Sequence, residues 1–509
     1  MYNESVTPHE PSPPAMTTVF WPRCSAVHGC AGRAVEGSGG CLAHLAPDEF
    51  DRFVGSLRPG AEMDLRGVTV PPGLLDAVLR AVTGPDERPH LGRARFDRAV
   101  LPSGAALRGI LVEGDSSFDG ACFLGGASFY DARFLGNVSF RGVRFGRNVS
   151  FHGARFHRHA SFEEAVFIGD ALFGEVGWDA DGSFRRAVFL GAACFDRARF
   201  GRDAAMQAAS FGGPVSFKRV QVARHARLER ARFRRGLWLG PLVAGGRIGL
   251  TDATAYGGLR VRAAARQVTG RGAVVHGEAD FRLRHAELDL EGAVFDGRVS
   301  VSSLPRPLQG LTEPSWTGPT NVPERSGSGS QAARVTSLRR VDAAWIELSD
   351  VDLSGCGFLG LRHPDALRIT GDCPFATAPR RSWRRHGRGH AVLADDLPPA
   401  TGGPSPEDDD RLAALYGDLA RASADSGRGR LARDFRYSEL EKRRHSEPVP
   451  WRRWVLHLMW ITCGYGLRTG RAIAWIAIIV ALICSSATLL HDDNRHDAVR
   501  ILHMSGGHS

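Results

Sequence analysis

Large apolar residues recur along the middle of the chain at alternating gaps of five and six. The series runs Phe96, Leu101, Leu107, Val112, Phe118, Phe123, Phe129, Phe134, Phe140, Phe145, Phe151, Phe156, Phe162, Phe167 and Phe173. It continues through Trp178, Phe184, Phe189, Phe195, Phe200, Met206, Phe211, Phe217, Val222, Leu228 and Phe233. Two residues before nearly every rung stands something small or β-branched, such as Ala121, Ala132, Val143, Ala154 and Ala165. The remaining positions are mostly Arg, Asp, Glu, His, Gly and Ser. A mean step of about 5.5 residues fits neither the helical period nor the strand period. It fits a chain that turns a corner after each rung and points every large side chain at one inner axis, a solenoid. Four sides take roughly 22 residues. At about 4.8 Å per coil, 96–302 then stacks nine or ten coils into a rod of order 45 Å.

Other stretches predict other elements. Within 61–95, Leu74, Leu75, Val78, Leu79 and Val82 fall at helical spacing. They predict a helix over 72–83, stopped by Gly84-Pro85, that caps the first coil or simply connects to it. Residues 303–333, rich in proline and with a Ser-Gly run at 326–330, read as a disordered insertion. Terminal repeats follow at 334–378, with Val351-Asp352-Leu353-Ser354 in the pattern. The stretch 379–410 reads as a solvated linker with an arginine cluster (Arg380, Arg381, Arg384, Arg385, Arg388) and an acidic run at 407–410. Leu412, Leu415, Tyr416 and Leu419, then Leu431, Phe435 and Leu440, predict a helical hairpin over 411–450. Residues 472–490 are uncharged and apolar, long enough to span a bilayer core as one transmembrane helix. Basic residues before that span and Asp492-Asp493 after it place the large N-terminal part in the cytoplasm. Trp451, Trp454 and Trp460 within 451–471 then read as a segment lying on the inner leaflet, and 491–509 as a polar tail. Residues 1–18 lack a signal-peptide core.

Successive units such as Ser-Phe-His-Gly-Ala-Arg-Phe (150–156) and Ser-Phe-Glu-Glu-Ala-Val-Phe (161–167) resemble the pentapeptide-repeat proteins, in the variant with Phe at the central position. The resemblance implies a mainly β fold, a right-handed quadrilateral β-helix, here followed by the helical hairpin and the transmembrane helix. The extra residue in alternate units departs from the strict five-residue repeat. Residues 435–444 and Gly464-Tyr465-Gly466-Leu467-Arg468, followed by the apolar span, resemble the tail of membrane-bound actinobacterial members. The family carries no assigned reaction.

The formal charge of +10 invites a polyanionic partner. Yet only Lys218 and Lys442 are lysines among 65 basic residues, as a GC-rich genome would produce. Some family members mimic duplex DNA on type II topoisomerases, which requires a negative rod. Outward residues here include Arg133, Arg141, Arg144, Arg147, Arg155, Arg185, Arg186 and Arg197, the wrong sign. A basic rod binding nucleic acid directly is the rival reading, and nucleic acid is not the expected partner.

Cys24, Cys30, Cys41 and His44 have the composition of a closed tetrahedral zinc site, with His28 as a substitute ligand. The glycine-rich segment 26–40 has little apolar content and needs such a staple. Unliganded cysteines in a loose arm are the alternative for residues 1–60. Thr462-Cys463-Gly464-Tyr465-Gly466 resembles a potassium-channel filter, but no spanning helix precedes it and the motif reads as a turn. The sequons at Asn137 and Asn148 lie eleven residues apart and belong to the repeat. No nucleophile elbow, phosphate loop or dinucleotide fingerprint occurs. These readings converge on a non-enzymatic, membrane-anchored scaffold that meets an unknown protein partner at the cytoplasmic face. A membrane enzyme with its site in 303–410 is the weaker alternative.

Overall fold

A computed structural model describes residues 21–314, 332–378, 390–397, 406–463, 465–466, 473 and 475–485. The chain divides into two compact units, 1–213 and 214–509.

In the first unit, helix Pro47–Ser56 precedes the stack. Strand Ala61–Asp64 pairs in parallel with His90–Arg95, which pairs with Leu111–Val112 and Ser116–Ser117, and helix Leu74–Ala81 lies between the first two strands in the chain. From residue 100 the backbone forms two-residue strands, four to each coil: Ser116–Ser117, Cys122–Phe123, Ala127–Ser128 and Arg133–Phe134, then Val138–Ser139 beside the first. Pairing is parallel in a register of 22 residues, as in Ser116↔Val138↔Ala160 and Arg144↔Val166. Alternation along such a short strand sends the rung and the residue two before it to the same side. Val143 and Phe145 are accordingly buried while Arg144 is exposed.

The two gap lengths correspond to two kinds of corner. The five-residue gap passes through one left-handed residue. Such residues recur every eleven positions from Arg98 through Gly109, Gly120, Asp131, Gly142, Gly153, Glu164, Glu175, Arg186 and Arg197 to Ala208, with φ between 52° and 71°. The six-residue gap accommodates an open bend, where a side-chain oxygen takes over a backbone partner in the next coil. Asn148 Oδ1 accepts from the Asp170 amide at 2.9 Å, and Asp170 Oδ1 accepts from the Ala192 amide at 2.9 Å. Asn148, the second sequon residue, therefore has a structural role.

Each side of the coil stacks its own rungs. Phe96, Phe118, Phe140, Phe162 and Phe184 follow one another at 4.8, 4.7, 4.8 and 4.9 Å between ring centroids, within 10° of parallel. That spacing equals the separation of neighbouring strands, so backbone and ring stacking reinforce each other. The column Phe134, Phe156, Trp178, Phe200 includes an indole. Room for it comes from Gly182, where a Cβ would stand 2.7 Å from the Phe200 ring and 3.2 Å from Trp178.

In the second unit the coils shorten. Leu237 pairs with Leu259 after 22 residues, but Leu259↔Ala279 and Ala279↔Val299 are steps of 20. The reason lies at one corner. Strands Leu259–Ala264 and Ala279–Arg284 run straight through a position that is a left-handed turn elsewhere, joining two sides into one. Val299 then pairs with Ile346, and Glu287 with Arg334, so the chain leaves the stack after Ser303 and is back in its ladder at Arg334. The start of that excursion packs against the coils. Arg284 and Glu313 form an almost fully buried ion pair at 2.9 Å, and Leu308 packs on Val243 and Ala264. The rest of the expected insertion, 315–331, lies outside the described residues.

Helices Pro406–Asp425 and Gly429–Ser446 form a hairpin. The Leu393 amide donates to the Tyr416 hydroxyl at 2.9 Å, and Lys442 bridges Asp396 and Asp409 at 2.5 and 2.8 Å. Part of the stretch expected to be a solvated linker is therefore ordered. Residues 390–397 connect the hairpin to the last coil, where Asp395 is buried, pairs with Arg339 at 2.7 Å and accepts from the Phe358 amide at 2.6 Å. Its arginine cluster lies outside the described residues.

The expected transmembrane helix over 472–490 is corrected. Among the described residues, no helix is long and apolar enough to cross a membrane. The residues described as helical there are 473 and 475–485. Residues 472, 474 and 486–490, the basic flank at Arg468 and Arg471, and the tail 491–509 lie outside the described residues. The single-pass localisation, with its cytoplasmic orientation and leaflet-bound segment, loses its basis. Helix Pro450–Cys463 carries the tryptophans. Trp460 donates from its indole nitrogen to the Tyr437 hydroxyl at 3.2 Å. In the channel-like motif, Gly464 is outside the described residues, and Tyr465 and Gly466 form a turn with φ of 61° and 74°.

Candidate metal centre

Cys24, Cys30, Cys41 and His44 are brought together. One ligand atom from each lies within 4.8 Å of all the others. Backbone pairing does the placing. The Cys24 amide donates to Gly32 O at 2.8 Å, the Ala34 amide to Pro22 O at 2.9 Å, and the Val35 amide to Gly40 O at 2.9 Å. A 3-10 turn, Leu42–His44, then carries His44 back over Cys41. Glycines make the knuckle tight enough. A Cβ on Gly32 would stand 2.9 Å from Cys41 Cβ, and one on Gly40 would stand 2.6 Å from His44 O.

The Cys30 and Cys41 sulfurs are 3.8 Å apart, and His44 Nδ1 is 3.3 Å from Cys41 Sγ and 3.5 Å from Cys24 Sγ. A tetrahedral ion bound to thiolates at about 2.3 Å requires sulfur–sulfur edges of about 3.8 Å. The donor set and its spacing thus fit a metal ion. His28 is exposed and outside the cluster.

The thiols are electrostatically unequal. Burial raises Cys24, but the Cys41, Ala26 and Val27 amides and the His44 side chain outweigh it and bring the thiol down to about 6. Burial first, and then the neighbouring Cys30 and Cys24 sulfurs, push Cys41 up to about 12. Without a cation the pocket accepts one thiolate and opposes a second. A bound metal ion would offset the cost of ionising Cys41 beside Cys24.

The knuckle is fastened to strand Ala61–Asp64. Asp64 accepts from Arg33 at 2.6 Å and from Arg66 at 2.7 Å, and the Arg33 amide donates to Arg66 O at 2.8 Å. Gly67, with φ of 66°, is needed there, since a Cβ would stand 2.4 Å from Ala31 O. None of these partners was visible in the ligand spacing.

The ladder residues Phe118, Phe123, Phe129, Phe134, Phe140, Phe145, Phe151, Phe156, Phe162, Phe167, Phe173, Phe184, Phe189, Phe195 and Phe200 are all buried. Some outward arginines of the first unit meet acids one coil away. Arg186 pairs with Glu164 at 2.7 Å and Arg197 with Glu175 at 2.8 Å.

Residues 96–144, 118–166, 140–188 and 184–232 match the family model described as pentapeptide repeats (9 copies). The stretch 96–232 is thus a run of pentapeptide repeats, and it builds a β-solenoid. No curated protein and no solved structure matches the chain.

Proposed function

We propose that the protein is a non-enzymatic scaffold whose solenoid offers its outer surface to a protein partner. The carrying observation is the filled interior. Rungs from Phe96 to Phe233 are at most 3 % exposed, so a partner can meet only the outside of the coils. Rigid, repetitive surfaces suit recognition. The first unit also bears an apolar ridge on two successive coils. Ile168 and Leu190 are 41 % and 56 % exposed, Leu172 is 42 % exposed, and Val166 lies in register with Val188. Such residues, bordered by charged ones, favour a protein partner.

Crosslinking of the tagged full-length chain in cells should recover one near-stoichiometric protein. The pair Ile168→Glu and Leu190→Glu should abolish its recovery while leaving far-UV circular dichroism unchanged. Recovery of background proteins alone would sink the reading.

The Cys/His knuckle is read as a structural zinc site that holds 21–60 in one conformation. Elemental analysis of the full-length chain should find one zinc per molecule, lost in Cys41→Ser. A zinc-free chain with 21–60 equally protected from hydrogen exchange would leave the cysteines as ordinary thiols.

A further inference from the structure

Positive charge is concentrated in one part of the chain. Residues 217–262 hold eleven arginines and lysines against Glu229 and Asp252, a net +9, so the other 463 residues carry only +1 of the formal +10. A bias toward arginine codons would raise basicity throughout. It does not account for two acids in 46 residues.

The coils turn part of this charge into a patch on the second unit. Arg232 points outward from its strand, and Arg234 and Arg235 form the exposed turn that follows. The next side presents Trp238, 54 % exposed, with Arg260 in register on the following coil and Arg262 outward on the same strand as Arg260. Lys218 Nζ and Arg260 Cζ each stand 5.7 Å from the Trp238 ring centroid. Tyr256 follows Ala255, which is in register with Phe233. It is 55 % exposed and stacks on His276 at 5.2 Å. The patch ends one coil further on, where Asp280 takes the place of Arg260 and is engaged by Arg282 and Ser300.

A nucleotide joins an anionic phosphate to a flat base, and the patch joins guanidinium groups to two exposed aromatic rings. An acidic peptide would neutralise the arginines and leave Trp238 and Tyr256 in water. A duplex keeps its bases in its own stack. We propose that this patch binds single-stranded nucleic acid, with phosphates on Arg232, Arg234, Arg235 and Arg262 and bases against Trp238, Tyr256 and the Arg260 guanidinium. The inference replaces the expectation that nucleic acid is not a partner. It is independent of the protein-scaffold reading, whose ridge belongs to the first unit.

The test is fluorescence anisotropy of the full-length chain with labelled oligonucleotides of about 20 nucleotides. A mixed-sequence single strand should bind, with log affinity falling against log salt by about 0.7 per phosphate engaged. It should bind at least roughly tenfold tighter than an abasic strand, a duplex of equal length or poly-glutamate of equal charge. Arg234→Ala with Arg235→Ala changes only exposed turn residues. It should weaken binding about tenfold and flatten the salt slope, and Trp238→Ala should weaken binding with the slope retained. Arg133→Ala with Arg144→Ala, outward changes in the first unit, should bind as wild type. Absence of binding, equal binding of the abasic strand or poly-glutamate, preference for the duplex, or indifference to the Arg234/Arg235 pair would each overturn the proposal. Nuclease digestion before crosslinking leaves a protein partner in place, so either reading can fail without the other.

Discussion

Phe129 lies flat on Phe151 one coil away, 4.6 Å between centroids and 3° from parallel, and Phe140 directs its edge at both from 5.5 and 5.4 Å. A single rung thus supports its own column and the one across the axis. Phe140→Ala should cost about 3–5 kcal/mol. The exposed neighbour Arg141, 3.7 Å from Glu164, should cost no more than about 0.5 kcal/mol on truncation. Urea unfolding of the two variants measures the difference, and similar midpoints would contradict a core built on the rungs.

The Trp178 indole nitrogen is buried without a hydrogen-bond partner. Trp178→Phe removes that orphan donor at the cost of some packing, and the two should nearly cancel, to within about 1.5 kcal/mol. Gly182→Ala forces a methyl against Phe200 and Trp178 and should cost about 1–3 kcal/mol. The contrast is read from thermal midpoints. A Trp178→Phe loss as large as that of Phe140→Ala would show the indole to be essential.

Corner residues tell left-handed strain apart from side-chain pairing. Ala208 has φ of 56°, is exposed, and brings no polar side chain to the corner. Ala208→Gly should therefore stabilise by about 0.5–1 kcal/mol, and Gly142→Ala at φ of 62° should destabilise by about 1 kcal/mol. Chemical denaturation gives both signs. A destabilising Ala208→Gly would mean that the flexibility gained by the unfolded chain outweighs the relief.

Asp64 makes the attachment of the knuckle dependent on pH. Burial raises its carboxyl, but the hydrogen bonds and charge of Arg66, with that of Arg33, outweigh this and hold it below the ordinary 3.8. A carboxyl depressed by folding contributes fully above 3.8 and loses its contribution as pH falls below that through the lowered value. Hydrogen exchange of the Arg33 amide should accelerate as pH is lowered below about 4, beyond the intrinsic pH effect. Asp64→Asn should show the loose state already at neutral pH and no acid transition. An unchanged profile in Asp64→Asn would detach the knuckle from this carboxylate.

The rungs and the inward and outward alternation were legible in the sequence because each coil repeats one rule with large, distinct side chains. The grouping of Cys24, Cys30, Cys41 and His44 was legible from residue type. Its fastening through Asp64 and Gly67 was not, since it depends on a strand beyond the segment. The shortened coils were hidden because deleting a corner at 259–264 leaves the apolar order Leu259, Val261, Ala263 intact. Hydropathy over 472–490 registers side chains alone, and the transmembrane helix it predicts has no counterpart among the described residues. The charge of 217–262 was missed because it was averaged over the whole chain.

The pairing of Val299 with Ile346 shows that the stack can release its chain at a corner and take it up again with the strand ladder intact. Closing a longer excursion costs little, about 0.6 kcal/mol for each doubling of its length. The site is thus a docking port in the literal engineering sense. A foreign domain spliced between residues 314 and 332 would be carried on the side of the solenoid, and the fold could tolerate new cargo there without redesign of a single rung.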